Sequence, residues 1–131
     1  MKALALKVIA RRQQAERRGR RGETLAAWYL RLHGWMIVAR RLRTPRGEVD
    51  LVARRGRMVA FVEVKWRRDA IGLATAIDQF HLRRVAAAAQ TIAHRYCRPG
   101  DSMRIDVLLL APRRWPRHIV NAWMPCVDAI R

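Results

Sequence analysis

The sequence predicts an α/β fold, a single domain with a mixed central sheet flanked by helices in the order α-β-β-β-α-β-β. Three observations carry this reading. Short runs of β-branched and apolar residues at 35–43, 48–54 and 57–66 are separated by turn residues. Two segments, 23–33 and 76–96, repeat their apolar residues at helical spacing. The run "MRIDVLLLA" at 103–111 is apolar on both alternating faces, as expected of an interior strand covered by helices. At 131 residues the chain has the length of one domain, enough to bury a modest core.

Taken in order, residues 1–20 are rich in Arg, Gln and Ala and read as a basic N-terminal arm of helical character, set apart from a domain over 21–131. The first domain helix spans Glu23 to His33, with Leu25, Trp28, Tyr29 and Leu32 at helical spacing, and Gly34 stops it. "WMIVARRLR" is the first strand, and Thr44 to Gly47, containing Pro45, is a turn. Residues 48–54 and 57–66 form a hairpin, with Arg55-Gly56 as its two-residue turn. A polar loop at 67–75 leads into the long helix, whose stripe comprises Leu82, Val85, Ala86, Ala89, Ala93 and Tyr96; Pro99-Gly100 ends it. After the apolar strand, "PRRWPR" is a loop and "HIVNAWM" a last strand.

The balance of 28 Lys and Arg against 10 Asp and Glu gives a formal charge of +18, which points to a polyanionic partner, nucleic acid first. Cys97 and Cys126 stand far apart, which gives neither a zinc spacing nor a disulfide framework and fits reduced thiols in the cytoplasm. No apolar run reaches the roughly 18 residues of a membrane span, and the N-terminus lacks the longer apolar core of a signal peptide. The four histidines, at 33, 81, 94 and 118, show no metal spacing and receive no role.

Against this background the charges in the hairpin stand out. Side chains alternate across a strand, so Glu48 and Asp50 share one face of theirs and Glu63 and Lys65 one face of the next. With Arg55-Gly56 as the turn, Asp50 sits across from Phe61 and Glu48 across from Glu63, with Asp50 diagonal to Glu63. Carboxylates brought so close repel, and a hard divalent cation removes the repulsion. Metal-assisted phosphodiester hydrolysis uses this equipment, with an amine nearby to orient water or offset charge on the phosphate. Only three of the 28 basic residues are lysines, Lys2, Lys7 and Lys65, so an amine at position 65 is a departure from the chain's habit. Glu23 lies on a helix stripe with Ala26, Ala27 and Leu30, either as a site acid or as an acid favoured by a helix N-terminus. Trp66 reads as sheet packing or as a stacking platform, and Asp106 as a structural acid paired with an Arg.

The segments "RGE" at 21–23, "RGEVDLVAR" at 46–54 and "FVEVKWR" at 61–67 resemble the YraN-like family of small bacterial proteins. That family belongs to the restriction-endonuclease-like superfamily, whose site is written PD-(D/E)xK, and is similar in layout to archaeal Holliday junction resolvases. The resemblance covers about residues 20 to 124. It implies a restriction-endonuclease-like fold, with Asp50, Glu63 and the Val64 carbonyl as ligands of Mg²⁺ or Mn²⁺, Lys65 as the catalytic amine and Glu23 as the helix acid. Val49 stands where the superfamily has Pro, and Phe80 and His81 stand where the family's helix start is basic.

The resulting expectation is a metal-dependent endonuclease acting on DNA, with branched or damaged structures as candidate substrates. The alternative is a non-catalytic nucleic-acid-binding module of the same fold. The site is assigned to Asp50, Glu63, Lys65, Glu23 and Glu48. The nucleic-acid contacts are assigned to Arg40, Arg43, Arg46, Trp66, Arg67, Arg68, Arg83 and Arg84, which touch phosphates without reading sequence. A homodimer is a candidate assembly, no membrane is involved, and the cytoplasm is the expected compartment.

Overall fold

A five-stranded sheet, ordered β1-β2-β3-β4-β5, is the frame of the molecule. The computed structural model describes residues 2–67 and 79–123. The strands are β1 (Met36–Thr44), β2 (Gly47–Arg55), β3 (Met58–Trp66), β4 (Ser102–Leu110) and β5 (Arg117–Ile119). Helix α1 (Lys2–Leu32) covers one face and α2 (Gln79–Tyr96) the other. The first three strands form an antiparallel meander, β4 runs parallel to β3, and β5 returns antiparallel. A parallel neighbour needs a crossover, and α2 lies in it.

Helix α1 is longer than the sequence reading. It runs unbroken from Lys2 through the position where arm and domain were divided, so Glu23 sits well inside a helix rather than at an N-terminus. The segment holds Ala, Leu, Lys, Arg, Gln and Glu, all strong helix formers, and no proline interrupts it. Ala26, Ala27 and Leu30 are fully buried on its sheet-facing side. Gly34 closes it in a left-handed conformation, donating to the Arg31 carbonyl while Trp35 donates to that of Leu30. This is the pairing of a Schellman ending.

Two cores result. On the α2 face, Leu82, Val85, Ala89 and Ile92 pack on Val52, Phe61 and Val107; on the α1 face, Ala26, Leu30 and Trp35 pack on Leu51, Val62 and Leu108. Strand β4 is buried on both faces from Ile105 to Leu110, as its apolar run predicts. Asp106, also fully buried, is held by Arg104 Nε at 3.0 and 3.1 Å, by His118 Nε2 at 2.7 Å and by the Asn121 amide at 2.9 Å. With its acceptor sites satisfied in this way, it is a structural acid paired with an Arg. The last strand is shorter than expected: it spans only Arg117–Ile119, because Asn121 turns into the left-handed region to deliver its amide to Asp106.

The hairpin register differs from the expected one by two residues. Arg55 pairs with Met58 and Leu51 with Val62, so the turn is Gly56-Arg57. Gly56 takes the left-handed conformation and Arg57 does not, the pattern of a type II′ turn rather than I′. A two-residue shift preserves the alternation of faces. Continued one step past Leu51 and Val62, this register would set Asp50 opposite Glu63 rather than diagonal to it.

Beyond Leu51 and Val62 the two strands part. β2 continues back to Gly47 paired only with β1, and β3 continues to Trp66 paired only with β4. The sheet is therefore forked between its second and third strands. Helix α2 closes on the fork at Gly47, where an added Cβ would lie 2.8 Å from the Arg84 carbonyl oxygen. Gly47→Ala is expected to destabilise the fold by about 1–3 kcal/mol, since backbone must move to make room. Gly56→Ala, which meets nothing within 4 Å, costs only the left-handed strain of about 1–2 kcal/mol. Thermal denaturation of the two variants checks the ranking, and equal losses would show that the Gly47 approach is not tight.

Candidate metal and phosphate site

Asp50 stands at the crotch of the fork. Its Oδ2 accepts the Val64 amide at 2.8 Å, so a side chain takes the place that a β2 carbonyl would hold in a continuing ladder. The Val64 carbonyl leaves the strand on the same edge and therefore faces the same opening. Glu63 is buried at 7% exposure. Its Oε1 is met by Lys65 Nζ at 3.2 Å and by His81 Nε2 at 2.9 Å. A cavity of about 270 Å³ in the fork is lined by Glu48, Asp50, Glu63, Lys65, His81 and Arg84, among others.

The structure thus brings Asp50, Glu63, Lys65 and Glu48 to one cavity. Glu48 lies at its exposed rim, 3.5 Å from Arg43 Nε across the β1–β2 ladder, and does not face Glu63 as the expected register had it. Glu23 lines an adjoining cavity of about 230 Å³ on the α1 side, together with Arg20, Arg41, Arg43, Glu48 and Asp50. Asp50 and Glu48 line both cavities. Glu23 is neutralised there by Arg41, whose backbone adopts a left-handed φ of 50°, uncommon for a residue with a side chain.

Of the assigned phosphate contacts, Arg40, Arg43, Arg46, Arg83 and Arg84 are exposed, and Arg84 reaches the fork cavity. Arg67 is half-buried and turned back onto the Trp66 carbonyl. Trp66 packs against the α1-side core on the sheet face opposite the fork cavity, and Arg68 lies outside the described residues. Two contributors were not assigned from sequence: His81 on Glu63 and Arg41 on Glu23. The histidine's only signal was its place at a helix start where a basic residue is familiar. Its partner lies 18 residues earlier, and no motif spacing links them.

The electrostatics of the fork are those of crowded acids. Burial, reinforced by the Glu63 charge, pushes the Asp50 carboxyl up to about 7, although the Val64 amide pulls the other way. Two hard carboxylates and a carbonyl facing one opening suit Mg²⁺ or Mn²⁺, which commonly take one or two protein carboxylates and complete their shells with water. Among the described residues no group of three or more His, Cys, Asp or Glu side chains is close enough to hold a metal ion. The residues present fit such a water-rich ion.

Comparison with known proteins places this geometry. The model of the uncharacterised protein family UPF0102 matches residues 22–110, which include the fork and its acids. A UPF0102 protein of Sphingopyxis alaskensis is 67% identical over 114 residues, covering 87% of this chain and 98% of the relative. One from Erythrobacter litoralis is 61% identical over 115 residues, covering 88% and 99%. Among solved structures, Hjc of Archaeoglobus fulgidus, a Holliday junction resolvase, superposes with a TM-score of 0.52 at 20% identity over 76% of this chain and 73% of that one. The fold is restriction-endonuclease-like.

The raised Asp50 carboxyl has a consequence for stability. Its folded pKa of about 7 exceeds the ordinary value of 3.8, so the native state binds the proton more tightly. The stabilisation this gives is full below the unfolded pKa and is lost as pH rises toward and through 7. Asp50→Asn is therefore expected to melt higher than wild type at pH 8 without added metal, by on the order of 2 kcal/mol, and to show no gain near pH 4. Melting curves at the two pH values measure this, and an Asn variant less stable than wild type at pH 8 would contradict it.

Proposed function

The chain belongs to the uncharacterised protein family UPF0102, and we propose that it is a divalent-metal-dependent endonuclease acting on DNA, with branched or damaged structures as its substrates. The observation that carries the reading is the fork: a ladder opened by Asp50, with Glu63 and Lys65 on its other limb, in one cavity that a phosphodiester can enter. Likeness to a fold alone does not give an activity. The reading rests on the residues in the cavity, and the resolvase named above is a precedent for DNA as substrate on this fold.

When bound, Mg²⁺ or Mn²⁺ supplies charge neutralisation at the phosphoryl oxygens and acidifies water for attack. Asp50 and Glu63 would hold the ion, with the Val64 carbonyl facing the same opening. The Val64 amide fixes Asp50 through one oxygen and leaves the rotamer little freedom. Lys65 offsets charge on Glu63 before substrate arrives and on the phosphate afterwards, and its amine can pass a proton where a guanidinium cannot. His81 holds Glu63 from the α2 side. Glu23, countered by Arg41, adds a second acid on the far wall of Asp50, and Glu48 guards the rim. Exposed Arg40, Arg43, Arg46, Arg83 and Arg84 bind the flanking backbone, an interaction that weakens with salt.

One observation favours a second reading, that of a nucleic-acid-binding module without cleavage. Lys65 and His81 both already sit on the same Glu63 oxygen, which occupies a position that a metal ion would need. Labelled linear, nicked, flap and four-way DNAs, incubated with Mg²⁺ or Mn²⁺, separate the two. The expected outcome is cleavage of at least one branched substrate, abolished by EDTA and reduced about 100-fold or more in Lys65→Ala, with low-salt binding retained. Binding without cleavage would transfer the assignment to the second reading. Equal cleavage by Lys65→Ala would remove Lys65 from the site.

A further inference from the structure

On the sheet face opposite the fork, α1 and the segment after β4 enclose a groove of about 410 Å³. Its character differs from that of the fork cavity. Trp28, Tyr29, Trp66 and Trp115 contribute aromatic surface, and Arg113 and Arg114 stand at its edge. Trp28 is 58% exposed and Trp115 is 89% exposed. Two large indoles left in water on a small domain lose favourable burial, and such a patch marks a contact surface. Arg31 lies over the Trp28 ring at 5.6 Å. Arg113 and Arg114 are exposed and make no ion pair among the described residues, and no Asp or Glu lines the groove.

We propose that this groove binds unpaired nucleotides of a nucleic-acid strand, bases stacking on Trp115 and Trp28 and phosphates meeting Arg113 and Arg114. Flat aromatic surface beside unpaired guanidiniums is the chemistry of single-strand binding, since every base has a π face and every nucleotide a charge. A purely apolar protein partner would use the indoles but leave the cations without a purpose. Position supports the same occupant. Trp66 follows Lys65 on β3, and successive side chains point to opposite faces. The groove and the fork cavity are thus joined at the end of one strand. A nucleic acid with its duplex on the fork side would place its unpaired segment in the groove. This rests on the nuclease reading for its biological sense, but its binding is measurable without cleavage.

The test is fluorescence anisotropy of labelled oligo(dT) and of a blunt duplex with the full chain, wild type, Trp115→Ala and Arg113→Ala/Arg114→Ala. Circular dichroism and thermal melting confirm that each variant is folded. Trp115→Ala is expected to weaken oligo(dT) binding about tenfold and to leave duplex affinity within about twofold. The double Arg variant is expected to lower the salt dependence of oligo(dT) binding, because two phosphate contacts are lost. Equal oligo(dT) affinity in wild type and Trp115→Ala would overturn the proposal. So would a wild-type dimer that Trp115→Ala splits, since the groove would then belong to a second copy. The outcome is separate from that of the cleavage panel: loss of oligo(dT) binding stands even if nothing is cut, and cleavage can persist if the groove is inert.

Discussion

The fork depends on one hydrogen bond, from the Val64 amide to the Asp50 carboxylate. A sheet ladder normally satisfies main-chain groups with main-chain groups. Here a side chain substitutes at the point where β2 and β3 cease to pair, and the outer strands β1 and β4 keep each limb extended. The substitution carries a cost, because the carboxyl is buried near a second acid and rises to about 7. An isolated structural protein gains nothing from such an arrangement. In the proposed function a cation in the opening would turn the same repulsion into binding energy. Helix α2 is held over the opening by the close approach at Gly47, which places His81 and Arg84 along its wall.

Much of this was legible in the residues, for identifiable reasons. Alternation located β2 and β3, and the apolar run located β4, because sheet faces impose period two and interior strands do not tolerate charges. The hairpin turn was misplaced by one residue at each end, since a lone Gly suits either central position and only the backbone conformation of its neighbour decides between them. Parity survived the error, so the acids still converge. What periodicity could not show is the fork itself, where a side chain competes with the backbone for one donor. Nor could it show His81 on Glu63, a contact made by the crossover helix returning over the sheet. Glu23 was readable as a helix residue on an apolar stripe. That it lies far from a helix terminus, which removes the macrodipole explanation, follows only from the unbroken α1.

The arginine excess divides into two populations. Some guanidiniums are committed to partners within the chain: Arg54 to Asp101 at 2.7 Å, Arg104 to Asp106, and Arg104 and the exposed Arg55 over the Trp35 ring at 5.1 and 4.5 Å. Asp101 is held below its ordinary carboxylate range by the Arg54 hydrogen bond. These arginines act as planar packing groups as much as charges. Others are exposed: Arg40, Arg43, Arg46, Arg83 and Arg84 on β1, its turn and α2 around the fork, and Arg113 and Arg114 at the aromatic groove. Composition alone gave the sum of both populations, and only the exposed one contributes a field that a phosphate backbone can meet at contact distance.

The end of β3 connects the two surfaces on which the functional reading rests. Lys65 contributes to the fork cavity and Trp66 to the aromatic groove, so adjacent residues of one strand line both. Duplex DNA is too stiff to bend around such an edge without a large deformation cost. An unpaired segment has no such stiffness. If both surfaces bind nucleic acid as proposed, the protein would discriminate by flexibility: a continuous duplex would engage one surface, while a nicked, gapped or branched molecule would engage both. Selection of that kind requires no contact with base edges, which agrees with a phosphate-facing surface made of arginines.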